Sequence, residues 1–288
     1  MAVYKRTYKG YEGLLTPEWS RFLILPRYAW ASLFKQRFLL ILYVVCFFYP
    51  IGCAVFLYFN ANLGALANLI PGAGQMKGFA ISGNFFEIFT AVQGSLAFIM
   101  TSFIGPGLVS PDLANNALPL YFCRPFSRTE YVLGKLGVVA FLLSFITWIP
   151  GLALFLMQWS LADAKWFGEN SWLAPAIFLS SFIWILLISF LALAISAWVR
   201  WKVVAGALLL LIFFLGSGLG AAINAVMRTE KGAWIDIGKN ITRVWQELFR
   251  QSESATISVE EAWTSLLCVL ALCLWLLWKK IRAYEVIQ

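Results

Sequence analysis

The chain contains no histidine. That absence excludes a Ser-His-Asp or Cys-His catalytic system, a histidine proton relay and a histidine-ligated metal. Charge is scarce too: 12% of the 288 residues are Asp, Glu, Lys or Arg, roughly half the share of a soluble domain. Cysteine offers no disulfide framework. Cys46, Cys53, Cys268 and Cys273 lie inside apolar runs and Cys123 lies in a connecting loop, so all five read as small hydrophobes. No acid or base falls at the middle of any long apolar run. Ion- and proton-coupled transporters place their ligands there, so a self-powered carrier and a charged-pore channel are both disfavoured. Glu260-Glu261 is no intramembrane protease pair without histidine, and Gly72-x-Gly74-x-x-Lys77-Gly78 lacks the spacing of a phosphate loop. Neither a catalytic residue nor a metal ligand is expected.

What fills the chain is apolar surface. Hydrophobic residues make up 61% and aromatics 17%, including 14 Trp and 25 Phe. The formal net charge is +8, but the basic residues flank apolar runs. They therefore fit a membrane surface and its topology rule, and no nucleic acid partner is expected. About 20 apolar residues carry a helix across the hydrocarbon core. Six stretches meet that length, with spans at about 38–59, 86–109, 133–159, 172–199, 203–227 and 262–278. The first is too long for a cleavable signal and should remain as a span. Only Arg200, Trp201 and Lys202 separate the fourth from the fifth, which predicts a tight helical hairpin.

Orientation follows from Lys and Arg. Arg21, Arg27, Lys35 and Arg37 precede the first span, and Arg124, Arg128 and Lys135 lie between the second and third. Arg200 and Lys202 follow the fourth, and Lys279, Lys280 and Arg282 follow the sixth. The alternate loops hold Lys77 alone, Lys165 alone, and a longer 228–261 segment whose acids offset its bases. Both termini are expected in the cytoplasm. The expected division is a cytoplasmic N-terminus (1–37), a six-helix transmembrane domain (38–278) and a cytoplasmic C-terminus (279–288).

Three connecting segments have helical patterns of their own. Thr16-Pro17-Glu18 is a helix-start signature. Beyond it Trp19, Phe22, Leu23, Pro26, Trp30, Leu33 and Phe34 share a face. This predicts an interfacial amphipathic helix on the inner leaflet, kinked or broken at Pro26; the same face could also pack on protein. In the outer loop, Trp234, Ile237, Ile241, Val244, Trp245 and Leu248 form a stripe on a helix of about four turns. It could rest on the outer leaflet, dip into it, or cap a pathway. Ser258-x-x-Glu261 predicts a capping box at the start of the last span.

In the inner loop 110–132, Ser110-Pro111-Asp112 predicts a helix start, with Ser110 as cap. Leu113, Ala117 and Leu118 give that helix an apolar side and Asn115 and Asn116 a polar one, with Pro119 limiting its length. Ser127-x-x-Glu130 predicts a second capping box, opening the third span. A short helix held between two spans can pass force between a cytoplasmic partner and the bundle.

The run from Gly107 to Lys135 resembles the loop after the second span in permease subunits of ABC-2 type ABC transporters. The resemblance rests on Asp112, Ala117, Leu118, Tyr121, Arg124, Pro125, Ser127, Arg128, Tyr131, Gly134 and Lys135. The six-span plan, with an interfacial helix before it and a helical insertion before the last span, is also similar. The resemblance implies an all-α membrane protein that works as a dimer with a second permease copy or homologue. It implies a separate cytoplasmic ATPase that binds ATP and Mg, with no cofactor in this chain. It also implies that 111–122 is a coupling helix, contacting that ATPase through Asp112, Leu113, Asn115, Asn116, Leu118, Arg124, Arg128 and Glu130. The matching interfacial-helix residues are Trp19, Phe22, Trp30 and Phe34. The expected function is the non-catalytic permease of an exporter in the cell membrane; the alternative is a membrane assembly scaffold without transport.

Overall fold

A computed structural model describes residues 20, 23–63, 79–118, 121, 127–162, 164–228, 230–251 and 257–281. Among these residues the fold is helical, with no strand. In chain order the helices are α1 (Ile24–Leu33), α2 (Arg37–Ala61), α3 (Gly83–Ile104), α4 (Pro106–Ala114), α5 (Arg128–Ile146) and α6 (Trp148–Leu161). They continue with α7 (Ala164–Asn170), α8 (Leu173–Trp198), α9 (Lys202–Met227), the 3₁₀ turn Lys231–Ile235, α10 (Ile237–Leu248) and α11 (Val259–Lys280). Among the described residues six segments are long and apolar enough to cross a membrane: Arg37–Ala61, Gly83–Ala114, Arg128–Leu161, Lys165–Trp198, Lys202–Met227 and Val259–Lys280. Phe48, Val203, Phe214 and Val226 are each more than half exposed on their outer faces. Large apolar side chains left exposed on helices of this length are a hazard in water and are solvated by lipid.

α8 is the central helix, touching α3, α4, α5, α6, α9, α10 and α11. Its sequence is apolar on all sides, as a helix surrounded by others must be. Buried Ser180, Ser181, Ser189, Ala192 and Ala197 let its neighbours approach closely. Only Val199, Arg200 and Trp201 separate it from α9, so the hairpin forms as the sequence predicts.

Two spans are broken where a single rod was expected. The second bends at Gly105 ahead of Pro106, the first residue of α4. A Cβ at Gly105 would stand 2.6 Å from the Ala192 Cβ, so the bend also depends on the absence of a side chain. The third breaks at Thr147, ahead of Pro150. A proline ring clashes with the carbonyl four residues back, which here is Ile146, the last residue of α5. Pro50 sits inside α2 without ending it. It frees the Cys46 carbonyl, and the buried Gln93 of α3 donates its Nε2 to that oxygen at 2.9 Å. A polar side chain inside the bundle is thus accounted for by one missing backbone donor.

Within the described residues α1 begins at Ile24, so Pro26 falls in its first turn, where no N–H is needed. The expected start at Thr16-Pro17-Glu18 lies outside the described residues. Pro26, Ala29, Trp30 and Leu33 face α5. Trp30 donates its Nε1 to the Val138 carbonyl at 3.3 Å and lies 4.1 Å, centroid to centroid, from Phe141. Phe34 is exposed and meets Tyr43 edge-on at 6.0 Å. Trp19 and Phe22 lie outside the described residues.

The stripe before the last span also packs on protein. Ile237, Ile241, Val244 and Trp245 are buried, and α10 lies against α3, α8, α9 and α11. Trp234 is not on that helix: it belongs to the 3₁₀ turn and is 42% exposed. Gly216-x-x-x-Gly220 in α9 accommodates that turn rather than another helix. A Cβ at Gly216 would stand 2.9 Å from the Ile235 oxygen, and one at Gly220 would stand 2.6 Å from the Gly232 oxygen. Asn240 secures the unit, its Nδ2 within 2.9 Å of Ser265 Oγ and 3.0 Å of the Trp234 carbonyl. The capping box of Ser258 and Glu261 opens α11 as expected.

Candidate functional site

Basic residues and helix ends gather at one end of the bundle. One crevice there, of about 210 Å³, lies among Asp112, Asn116, Leu118, Trp198, Arg200 and Lys280. A second, of about 290 Å³, brings Gln36, Asp112, Lys135 and Lys202 together. This end therefore joins the starts of α2, α5 and α9 to the ends of α4, α8 and α11.

Asp112 separates the two crevices, and it is not free. Its Oδ2 lies 2.8 Å from Lys135 Nζ and accepts a hydrogen bond from the Tyr131 hydroxyl, also at 2.8 Å. Lys135 donates further to the Leu108 carbonyl at 2.6 Å. Tyr131 and Lys135 are one turn apart on α5 and so reach the same carboxylate from one helix face. The Lys135 ammonium also lies 5.4 Å from the Tyr131 ring centroid. Tyr121 packs on Tyr131 at 5.6 Å between centroids. Burial, followed by the nearby Asp112 carboxylate, holds the Tyr121 phenol above its ordinary pKa.

The helix bearing Asp112 is not the one the sequence predicts. Ser110 is no cap; it is buried within α4, and its hydroxyl reaches the Val199 carbonyl at 2.7 Å and that of Ser196 at 3.2 Å. Carbonyls in the last turn of α8 lack helical donors, so this contact fills a need that a local cap would not. Pro111 is inside α4 rather than at its start. The 111–122 helix is therefore corrected to Pro106–Ala114, followed by helical residues at Leu118 and Tyr121. What ends α4 is Asn116, at φ 51°. The Asn116 N–H donates to the Leu113 carbonyl at 3.3 Å and the Ala117 N–H to the Asp112 carbonyl at 2.8 Å. That is the Schellman pattern with asparagine in the left-handed position.

The other site residues scatter around this cluster. Asn115 and Asn116 are exposed, Leu113 is half-buried and Leu118 is buried. Arg128 is exposed at the first position of α5. Glu130 completes the capping box: its backbone N–H donates to Ser127 Oγ at 3.2 Å, and its carboxylate accepts from the Ser127 N–H at 2.6 Å. Ser127→Ala is expected to cost about 1 kcal/mol, and Ser127→Gly only a few tenths. Thermal melts of both in detergent check this, and an unchanged melt in Ser127→Ala would mean that the box contributes nothing. Arg124 lies outside the described residues. Sequence reasoning did not include Trp198, Arg200, Lys280, Tyr131 or Lys135 among the site residues. The last two stand among the residues that carry the family resemblance, at i, i+4 on the opening turns of an apolar span, but no role was assigned to them.

No protein-family model matches the chain, and no curated protein matches its sequence.

Proposed function

We propose that this chain is the membrane-embedded permease subunit of an ATP-driven exporter of the ABC-2 type. It works as a dimer with a second copy or homologue, and a separate ATPase docks on its basic end, which faces the cytoplasm. The observation that supports this reading best is the Asp112–Tyr131–Lys135 cluster. It joins three of the positions that carry the family resemblance, and it fastens the segment between the second and third spans rigidly to the bundle. A segment so fastened transmits displacement, whereas a loose loop absorbs it. Asp112 then acts by positioning. The side chains available to the ATPase are Asn115, Asn116 and Arg128, which are exposed. α1 is the interfacial helix on this reading, packed on α5 by one face with Leu23, Ile24 and Tyr28 exposed. The turn 231–235 and α10 form the outer insertion. ATP and Mg belong to the partner.

The test is purification of the tagged full chain from its native host in mild detergent, with mass spectrometry of what accompanies it. A stoichiometric subunit carrying Walker A and signature motifs is expected. Arg128→Glu, an exposed change outside the Asp112 cluster, should lower its recovery about tenfold, the scale of one lost charged contact at an interface. A chain that still comes alone after cross-linking would overturn the permease reading in favour of the scaffold.

A further inference from the structure

The 290 Å³ crevice has two kinds of wall. Ser32, Gln36, Asp112, Lys135 and Lys202 form a polar side, and Leu33, Leu39, Phe103 and Ile104 form an apolar one. Two ammonium groups stand against one carboxylate, and that carboxylate is already bonded to Lys135. Lys202 has no carboxylate within ion-pair distance among the described residues. The crevice therefore has one cation to spare, beside a hydroxyl and an amide.

Its depth and its exit argue for a lipid rather than a solute. Gln36 immediately precedes α2 and Lys202 is the first residue of α9, so the polar wall lies where two apolar spans begin. Phosphate groups of a leaflet occupy that level. Leu33, Leu39 and Ile104 also border a shallow groove that continues past Phe34, Leu40, Tyr43 and Met100. That groove encloses only about 10 Å³, so a hydrocarbon chain would lie along it and remain open to the bilayer. An inorganic anion has no use for such a groove; a lipid needs both parts.

We propose that this crevice binds one anionic glycerophospholipid, with Lys202 holding its phosphate and the groove between α1, α2 and α3 bedding an acyl chain. The lipid would brace α1 and α2 against the Asp112–Lys135 pair from the side opposite the 210 Å³ crevice. The proposal rests on the membrane-embedded part of the reading above and not on the ATPase, so either can fail alone.

Native mass spectrometry of the full chain released from detergent, titrated with phosphatidylglycerol, tests it. One bound lipid per chain is expected. Lys202→Glu should weaken that binding about tenfold, and Ser32→Trp, which fills the crevice from α1, should do the same. Lys239→Glu, a change on α10 away from the crevice, should leave it unchanged. Inorganic phosphate at millimolar concentration should not displace the lipid. Wild-type binding in both crevice variants would overturn the site, and full displacement by inorganic phosphate would make it a free-anion site instead.

Discussion

Replacing Lys135 with methionine is expected to remove about 3–5 kcal/mol of folding stability, the cost of leaving a buried charge without its partner. The side chains of Lys135 and Asp112 are 9% and 17% exposed. The methionine preserves most of the buried stem, so lost packing contributes little. What remains is a carboxylate with one hydroxyl donor, from Tyr131, where it had a hydroxyl and an ammonium. The double variant Lys135→Met with Asp112→Leu should recover most of the loss, because two apolar groups can replace a buried pair at little cost. Equilibrium unfolding in mixed micelles would give both numbers, and the cycle closes on the pair energy. If the double variant is as unstable as the single one, the pair is not what holds α4 to α5. The experiment also bears on the choice of functional probes. A loss of coupling in any Asp112 variant would mix a changed surface with a loosened loop, whereas Arg128 and Asn115 are free of that ambiguity.

Local chemistry was legible in the sequence and long-range chemistry was not. Ser127 and Ser258 were readable as caps because both partners of each box lie within four residues. The spans were readable because length and apolarity are properties of one segment. Ser110 shows the limit: Ser-Pro-Asp is a genuine start signature, yet the hydroxyl finds its acceptors at Ser196 and Val199, on another helix and its cap. The stripe on α10 was correct in composition, apart from Trp234, but its destination was open. Apolar residues face lipid and protein alike, and only the packing of α10 against α3, α8 and α11 distinguishes them. The Asp112–Lys135 pair was hidden for a related reason. Both stand in the motif that carries the family resemblance, but the acid read locally as a helix-start residue and the lysine as a topology signal, and nothing in the sequence paired them. Pro106 and Pro150 carried a signal that was present but unused: each sits inside an apolar run that length alone makes continuous, and each marks a break.

Trp245→Ala is expected to cost about 3–5 kcal/mol and to detach α10 from the bundle. The indole reaches past the helix surface into the core. Its Nε1 donates to the Ser180 carbonyl at 3.1 Å, and its ring meets Trp184 edge-on at 5.6 Å. Trp184 in turn donates to the Gly94 carbonyl at 2.8 Å, and a Cβ at Gly94 would stand 2.9 Å from Trp245. Three helices thus meet at one point that needs two indoles and the absence of a side chain. Removing Trp245 leaves a cavity that Gly94 cannot fill, and strips Trp184 of one ring neighbour, leaving it Phe98 and Phe213. Trp245→Phe keeps most of the volume and loses the N–H, so it should cost only about 1 kcal/mol. Thermal melts separate the two variants. The detachment is read by placing a cysteine at buried Ser180, in a background without the native cysteines, and measuring its labelling by a polar thiol reagent. Protection is expected with Trp245 in place and in the Trp245→Phe variant, and labelling is expected in Trp245→Ala. Continued protection in the alanine variant, with an unchanged melt, would mean that Asn240 and the glycines of α9 suffice to hold the insertion and that the indole is only a filler.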